Sequence, residues 1–134
     1  MKNILITGAG SYIGDSVKEY LDKHPELYNV TIKDTIGWRP AASDFGGYDV
    51  VFHVAGIAHR KETKENAHLY YEVNRDQAIR VAEQAKAAGV RQFIIMSSMS
   101  VYGMNTGHIT KETKPAASNF LSSKAFINFS LNFF

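Results

Sequence analysis

The tightest constraint on this chain lies at its start, where the apolar run Asn3-Ile4-Leu5-Ile6-Thr7 breaks directly into Gly8-Ala9-Gly10-Ser11-Tyr12-Ile13-Gly14. A strand that turns through small residues into a helix leaves backbone N–H groups and the positive helix end facing outward. That is the arrangement a diphosphate needs. Gly8 is expected to make the tight turn, and Gly14 to let helix and strand pack closely. With Ser11, Tyr12 and Ile13 they form the expected diphosphate contact. The spacing is not the usual G-x-G-x-x-G, because position 13 is isoleucine. A plain glycine-rich turn is the alternative.

Beyond the loop, short β-like runs alternate with helical segments, which predicts an α/β fold with a parallel sheet. Tyr12 to about Lys23 reads as a helix closed by His24-Pro25, and Tyr28 to Lys33 as a β-branched strand. A loop with Gly37, Pro40, Gly46 and Gly47 leads to a buried strand over Asp49 to Val54. A long helix is expected from Glu65 to Ala88, with Gly89 as its C-cap, and then a strand over Gln92 to Met96. The expected fold is a doubly wound, Rossmann-like parallel sheet in three αβα layers.

An acid about 20 residues past such a loop, at the end of the second strand, reads the ribose of a dinucleotide. Asp34 stands there. Its carboxylate would accept from ribose hydroxyls and repel a 2′-phosphate, favouring NAD, while Lys33 and Arg39 beside it leave NADP open. A turn residue is the other reading of Asp34. On the long helix, Tyr71, Asn74, Ala78, Val81, Ala85 and Ala88 share one face by three- and four-residue steps. Asn74 is polar on that face. Either it is a helix-start amide near the surface, or it braces the neighbouring strand end and its active site.

Composition narrows the classes further. The chain has 134 residues, 45% hydrophobic and 21% charged, enough for one domain with a real core. Its net charge is +2 with basic residues scattered, so a charged nucleic-acid face is not expected. The absence of cysteine excludes disulfides, thiolate metal sites and cysteine nucleophiles. No apolar stretch has the length of a signal peptide or membrane span, so a cytoplasmic location is expected. His24, His53, His59, His68 and His108 show no metal-ligand spacing and are read as structural, solvated or unassigned; no metal is expected.

Several segments together resemble the extended short-chain dehydrogenases of the NAD-dependent epimerase/dehydratase kind. Thr7 to Gly14 is similar to that family's TGxxGxIG loop, with Ser11 in place of the middle glycine. Asp49-Val50-Val51-Phe52-His53-Val54-Ala55-Gly56 resembles its DvVfHlAa strand, Glu72-Val73-Asn74 its x-V-N helix motif, and Phe93 to Gly103 its SSxxVYG signature. The resemblance runs over roughly residues 3–124 and implies NAD as cofactor and a nucleotide sugar as substrate in intact relatives. It implies that Asp44 and Phe45 lie near adenine, that Ala55 and Gly56 line the cofactor, and that Asn74 supports the same site. Ser98 aligns with the catalytic serine or threonine. A homodimer is implied through the helices that carry the asparagine and lysine motifs.

Two departures bear on catalysis. The family relies on a Tyr-x-x-x-Lys pair, in which tyrosine takes the hydroxyl proton. Here Lys124 is present but Phe120 stands at the tyrosine position. After Lys124 no charged residue occurs, and Ile127, Phe129, Leu131 and Phe133 alternate with Asn128, Ser130 and Asn132. Residues 1–124 are therefore expected to form the dinucleotide-binding domain, lacking a C-terminal substrate domain, with 125–134 as an atypical apolar tail. Truncation or a frame shift is the favoured account of that tail; a self-associating strand is the other. The expected function is an impaired family member, and the alternative is a non-catalytic dinucleotide-binding or self-association module.

Overall fold

Four parallel strands in the order β2-β1-β3-β4 form the sheet of the computed structural model, which describes residues 1–57, 63, 65–97, 102–104 and 106–114. The strands are β1 (Lys2–Thr7), β2 (Tyr28–Lys33), β3 (Val50–His53) and β4 (Gln92–Ile95). Helix α1 spans Tyr12–Leu21, a 3₁₀ turn spans Ala42–Phe45, and α2 (Ala67–Tyr71) runs through a π-helical segment (Glu72–Gln77) into α3 (Ala78–Ala87). The chain falls into two compact units. One comprises Met1–Ala55 with Arg80–Met96, and the other Gly56–Ile79 with the described residues beyond Met96. Ser98, Phe120, Lys124 and the tail 125–134 lie outside the described residues.

Side-chain alternation along β1 builds the first unit's three layers. Ile4 and Ile6 point to one face, where they meet Val50, Phe52 and Val54 and, from α1, Val17 and Leu21. Leu5 points to the other face and joins Val51, Phe45 and Val90 with Val81 and Ala85 of α3. β3 is buried at all four positions, as a central parallel strand covered on both faces should be. β2 alternates half-buried with exposed residues, as an edge strand does. The Rossmann-like sheet is thus present with helices on both sides.

Local chemistry sets the helix ends. Ser11 caps α1 by accepting from the Gly14 N–H at 3.1 Å. α1 stops at Leu21, before the Lys23 expected from sequence, because the chain tightens: the His24 N–H donates to the Leu21 carbonyl at 2.9 Å ahead of Pro25. Thr63 and Asn66 cap the next helix reciprocally, Oδ1 of Asn66 accepting from the Thr63 N–H at 2.8 Å and Oγ1 of Thr63 from the Asn66 N–H at 3.3 Å. At the far end the Gly89 N–H donates to the Lys86 carbonyl and the Val90 N–H to the Ala85 carbonyl, each at 3.0 Å. With Gly89 at φ 78°, this is the expected glycine cap.

The long helix departs from expectation in its middle. Residues 72–77 form a π-helical segment with i→i+5 bonds, a wider turn than the α-helix that shifts which positions face inward. The inward position one turn before Asn74 is Tyr70, which is 1% exposed, and not Tyr71, which is 36% exposed.

Candidate functional site

The crevice of an open parallel sheet lies beyond the carboxyl ends of its strands, where the strand order reverses. Here that point is between β1 and β3, because β2 lies on the other side of β1. Thr7 and His53 are register partners at the end of this pair, both fully buried, and the Thr7 hydroxyl meets His53 Nδ1 at 2.6 Å. His53 also stacks on Phe93 with centroids 6.3 Å apart. The pair fixes the floor of the crevice, so His53 is structural, as its lack of ligand spacing suggested.

Above that floor the glycine loop turns in the way its residues predict. Gly8 has φ 118°, and a Cβ there would lie 2.7 Å from the Ala55 nitrogen and 2.8 Å from its Cα. Only glycine lets the turn pass this close to the end of β3. The second left-handed residue is Gly10, at φ 74°, and Ser11 adopts φ −84°, ψ 134°, an extended conformation open to any residue. Serine is therefore tolerated at position 11 without backbone strain, the positive φ sitting at Gly10. A Cβ on Gly14 would come within 2.7 Å of Ser11 Oγ and 3.0 Å of Val54 Cγ2, so this glycine seats α1 on the sheet.

The amides of the loop divide into two sets. Those of Gly8 and Ala9 donate to the Lys33 carbonyl at 2.9 and 3.3 Å, which pins the loop to the end of β2. The Gly14 amide is taken by Ser11 Oγ, leaving the Ser11 hydroxyl proton to donate elsewhere. Tyr12 and Ile13 stand in the first turn of α1, whose N–H groups have no carbonyl within the helix to receive them. Both residues are exposed. The positive end of α1 and these amides suit an anion.

The bond from the loop to Lys33 also sets the next residue, Asp34, beside the loop. Asp34 is exposed, and its Oδ1 accepts from the Ile36 N–H at 3.0 Å. It is thus a turn residue through Oδ1. Asp44 accepts from the Ala41 N–H at 2.9 Å and from the Trp38 indole N–H at 3.2 Å through Oδ2. The Phe45 side chain is fully buried and stacks at a tilt on Trp38 with centroids 5.7 Å apart. Its ring belongs to the core, which leaves its main chain as the part that can face a base.

In the second unit Asn74 is a brace. Its Oδ1 accepts from the Ile57 N–H at 2.7 Å and its Nδ2 donates to the Ile57 carbonyl at 3.0 Å. The side chain is 1% exposed and lies inside the π segment, not at a helix start. Its amide thereby holds the chain that follows Ala55 and Gly56. Ala55 is buried, with its N–H on the Thr7 carbonyl at 2.9 Å, and Gly56 is exposed.

One arrangement escaped the sequence reading. Lys33 Nζ lies 5.6 Å from the centroid of the Trp38 ring, so indole, lysine and Asp44 form one cluster at the end of β2. A lone tryptophan between Gly37 and Arg39 was the available signal. Among the described residues no cluster of metal-ligating side chains occurs, and no helix is long and apolar enough to cross a membrane.

Comparison with known proteins agrees with this geometry. A family model described as the NAD dependent epimerase/dehydratase family matches residues 4–127. A UDP-glucose 4-epimerase of Vibrio cholerae is 32% identical over 122 residues, covering 78% of this chain and 37% of that protein. YtcB, an uncharacterised UDP-glucose epimerase of Bacillus subtilis strain 168, is 27% identical over 139 residues, covering 82% of this chain and 44% of that protein. Among solved structures, UDP-glucuronic acid 4-epimerase of Bacillus cereus, in complex with UDP-glucuronic acid and NAD, superposes with a TM-score of 0.81 at 20% identity. That match covers 96% of this chain and 51% of the other. The chain spans under half the length of the curated relatives it matches and about half of that structural neighbour.

Proposed function

The chain belongs to the NAD dependent epimerase/dehydratase family, and from that premise we propose that its β1–α1 loop binds the diphosphate of NAD while its oxidoreduction of a nucleotide sugar is impaired. The observation that supports the binding half is the turn at Gly8, packed against Ala55 too closely for any Cβ, where β1 gives way to the exposed first turn of α1. The Tyr12 and Ile13 amides and the Ser11 hydroxyl donate to diphosphate oxygens. The free oxygen of Asp34 accepts from the ribose hydroxyls, which favours NAD over NADP. Asp44 and the Phe45 main chain flank adenine, and Ala55 lines the cofactor; in the second unit Asn74 holds Ile57, next to Gly56. When bound, NAD supplies a reversible hydride acceptor.

The impairment rests on Phe120. Phenylalanine keeps an aromatic ring but has no group to take or return a proton, and loss of a general base costs about 10²–10⁴-fold in rate. Ser98 and Lys124 remain from the catalytic set, to hold a sugar hydroxyl and a ribose. The substrate class, by analogy with the relatives, is a UDP-sugar. A non-catalytic dinucleotide-binding role is favoured as the second reading by the same Phe120.

Calorimetry of the chain with NAD⁺ and NADH tests the binding half; heat of binding is expected with at least one, and none up to millimolar concentration with either sinks it. Conversion of UDP-glucose or UDP-glucuronic acid above background by the purified chain would overturn the impairment.

A further inference from the structure

From the cluster at the end of β2 we infer that Trp38 sets dinucleotide selectivity by holding the Lys33 ammonium on its ring, away from the 2′ position that Asp34 reads. The inference rests on the diphosphate role of the loop. Lys33 and Asp34 are adjacent, and the Lys33 carbonyl carries the Gly8 and Ala9 amides, so both side chains leave the backbone beside the loop. A lysine there would attract a 2′-phosphate, which an aspartate repels.

The ring that holds the lysine is itself fixed on three sides. Its body packs on the core cluster of Leu5, Val51 and Val81, its face meets Phe45, and its N–H donates to Asp44 Oδ2. The Nζ-to-centroid distance of 5.6 Å is within cation–π range. Lys33 also follows Thr31 on the outward positions of β2, the opposite side from Ile32, which packs against the α1 layer. The lysine is therefore directed to the Trp38 side of the sheet before the ring takes hold of it. Arg39 is exposed, and the cation on the indole ring is Lys33.

The test measures Kd for NAD⁺ and NADP⁺ by calorimetry on the full chain and three variants. In Lys33→Met the ratio of the two Kd values is expected to stay within about two-fold, because the parent lysine is already sequestered. Trp38→Leu frees the lysine, and the preference for NAD⁺ is expected to fall about three- to ten-fold. Adding Lys33→Met to Trp38→Leu is expected to restore the parent ratio. A ten-fold gain of NAD⁺ preference in Lys33→Met alone would overturn the inference without depending on a core substitution. So would an unchanged ratio in Trp38→Leu, or a shift that survives removal of Lys33. If the parent chain binds neither dinucleotide, the diphosphate role fails and the selectivity device fails with it; if it binds and the ratios stay put, only the device fails.

Discussion

A methyl group on Gly8 would sit against main-chain atoms of Ala55, which cannot swing aside as a side chain does, and the residue's φ of 118° is strained for any L side chain. Both penalties act on the same turn, so Gly8→Ala is expected to destabilise the chain by about 1–3 kcal/mol. A urea midpoint unchanged from the parent would show that the close approach of loop to β3 is not needed in solution. Three positions on, serine costs nothing of this kind, since Ser11 is extended and its hydroxyl caps α1. Read from sequence, Ser11 looks like a departure from the family loop; in the backbone the left-handed residues are Gly8 and Gly10, and Ser11 needs no glycine. Such an exchange is invisible to spacing alone, because the pattern records residue types and not which of them carries the positive φ.

Asn74 shows how an element can be placed correctly and its detail missed. The periodicity of residues 74–88 places the helix and its buried face with Asn74 as the polar exception, whereas Tyr71, counted on that face from sequence, is 36% exposed. What spacing could not supply was the π segment, because an i→i+5 turn changes the phase of the helix without any residue type that marks it. Truncation to alanine leaves the Ile57 N–H and carbonyl without their partners, so Asn74→Ala is expected to cost about 1–3 kcal/mol. A loss under a few tenths of a kcal/mol would mean that water replaces the amide at no cost. At the opposite, amino ends of the strands, Asp49 accepts from the Asn3 N–H at 2.8 Å and is bonded by the Arg91 guanidinium. The backbone bond from Asn3, and then Arg91, hold its carboxyl below the usual carboxylate range. A carboxyl whose folded pKa is depressed stabilises above its unfolded pKa and loses that contribution as pH falls through the folded value. Asp49→Asn should therefore lower the melting temperature at neutral pH, and the gap from the parent should close as pH drops below the usual carboxylate range. A gap that is constant from neutral to acid would remove the ionised carboxylate from the account.

At the scale of the whole chain, the two ends of the sheet have different work. The carboxyl ends of β1, β2 and β3 carry the glycine loop, Asp34 and the Thr7–His53 floor, whereas the amino ends carry the Asp49 clamp. The alternation of strand and helix made this polarity legible in the sequence, because a parallel sheet gathers every strand-to-helix turn at one end. The 3₁₀ turn and the Trp38 cluster were not legible, since they depend on contacts between loops that no period records. The division predicts where a dinucleotide acts. A ligand that binds only the folded state adds about 2.7 kcal/mol of stability at a hundred times its Kd, and amide exchange slows most where the ligand also blocks local opening. With NAD⁺ present, exchange should slow over residues 7–14 and 33–36, which share the loop's bonds to Lys33. It should change least around Asp49 and Arg91, where any slowing reports only the global gain. Protection concentrated at that clamp, with the loop unchanged, would place the ligand at the wrong end of the sheet and refute the diphosphate assignment.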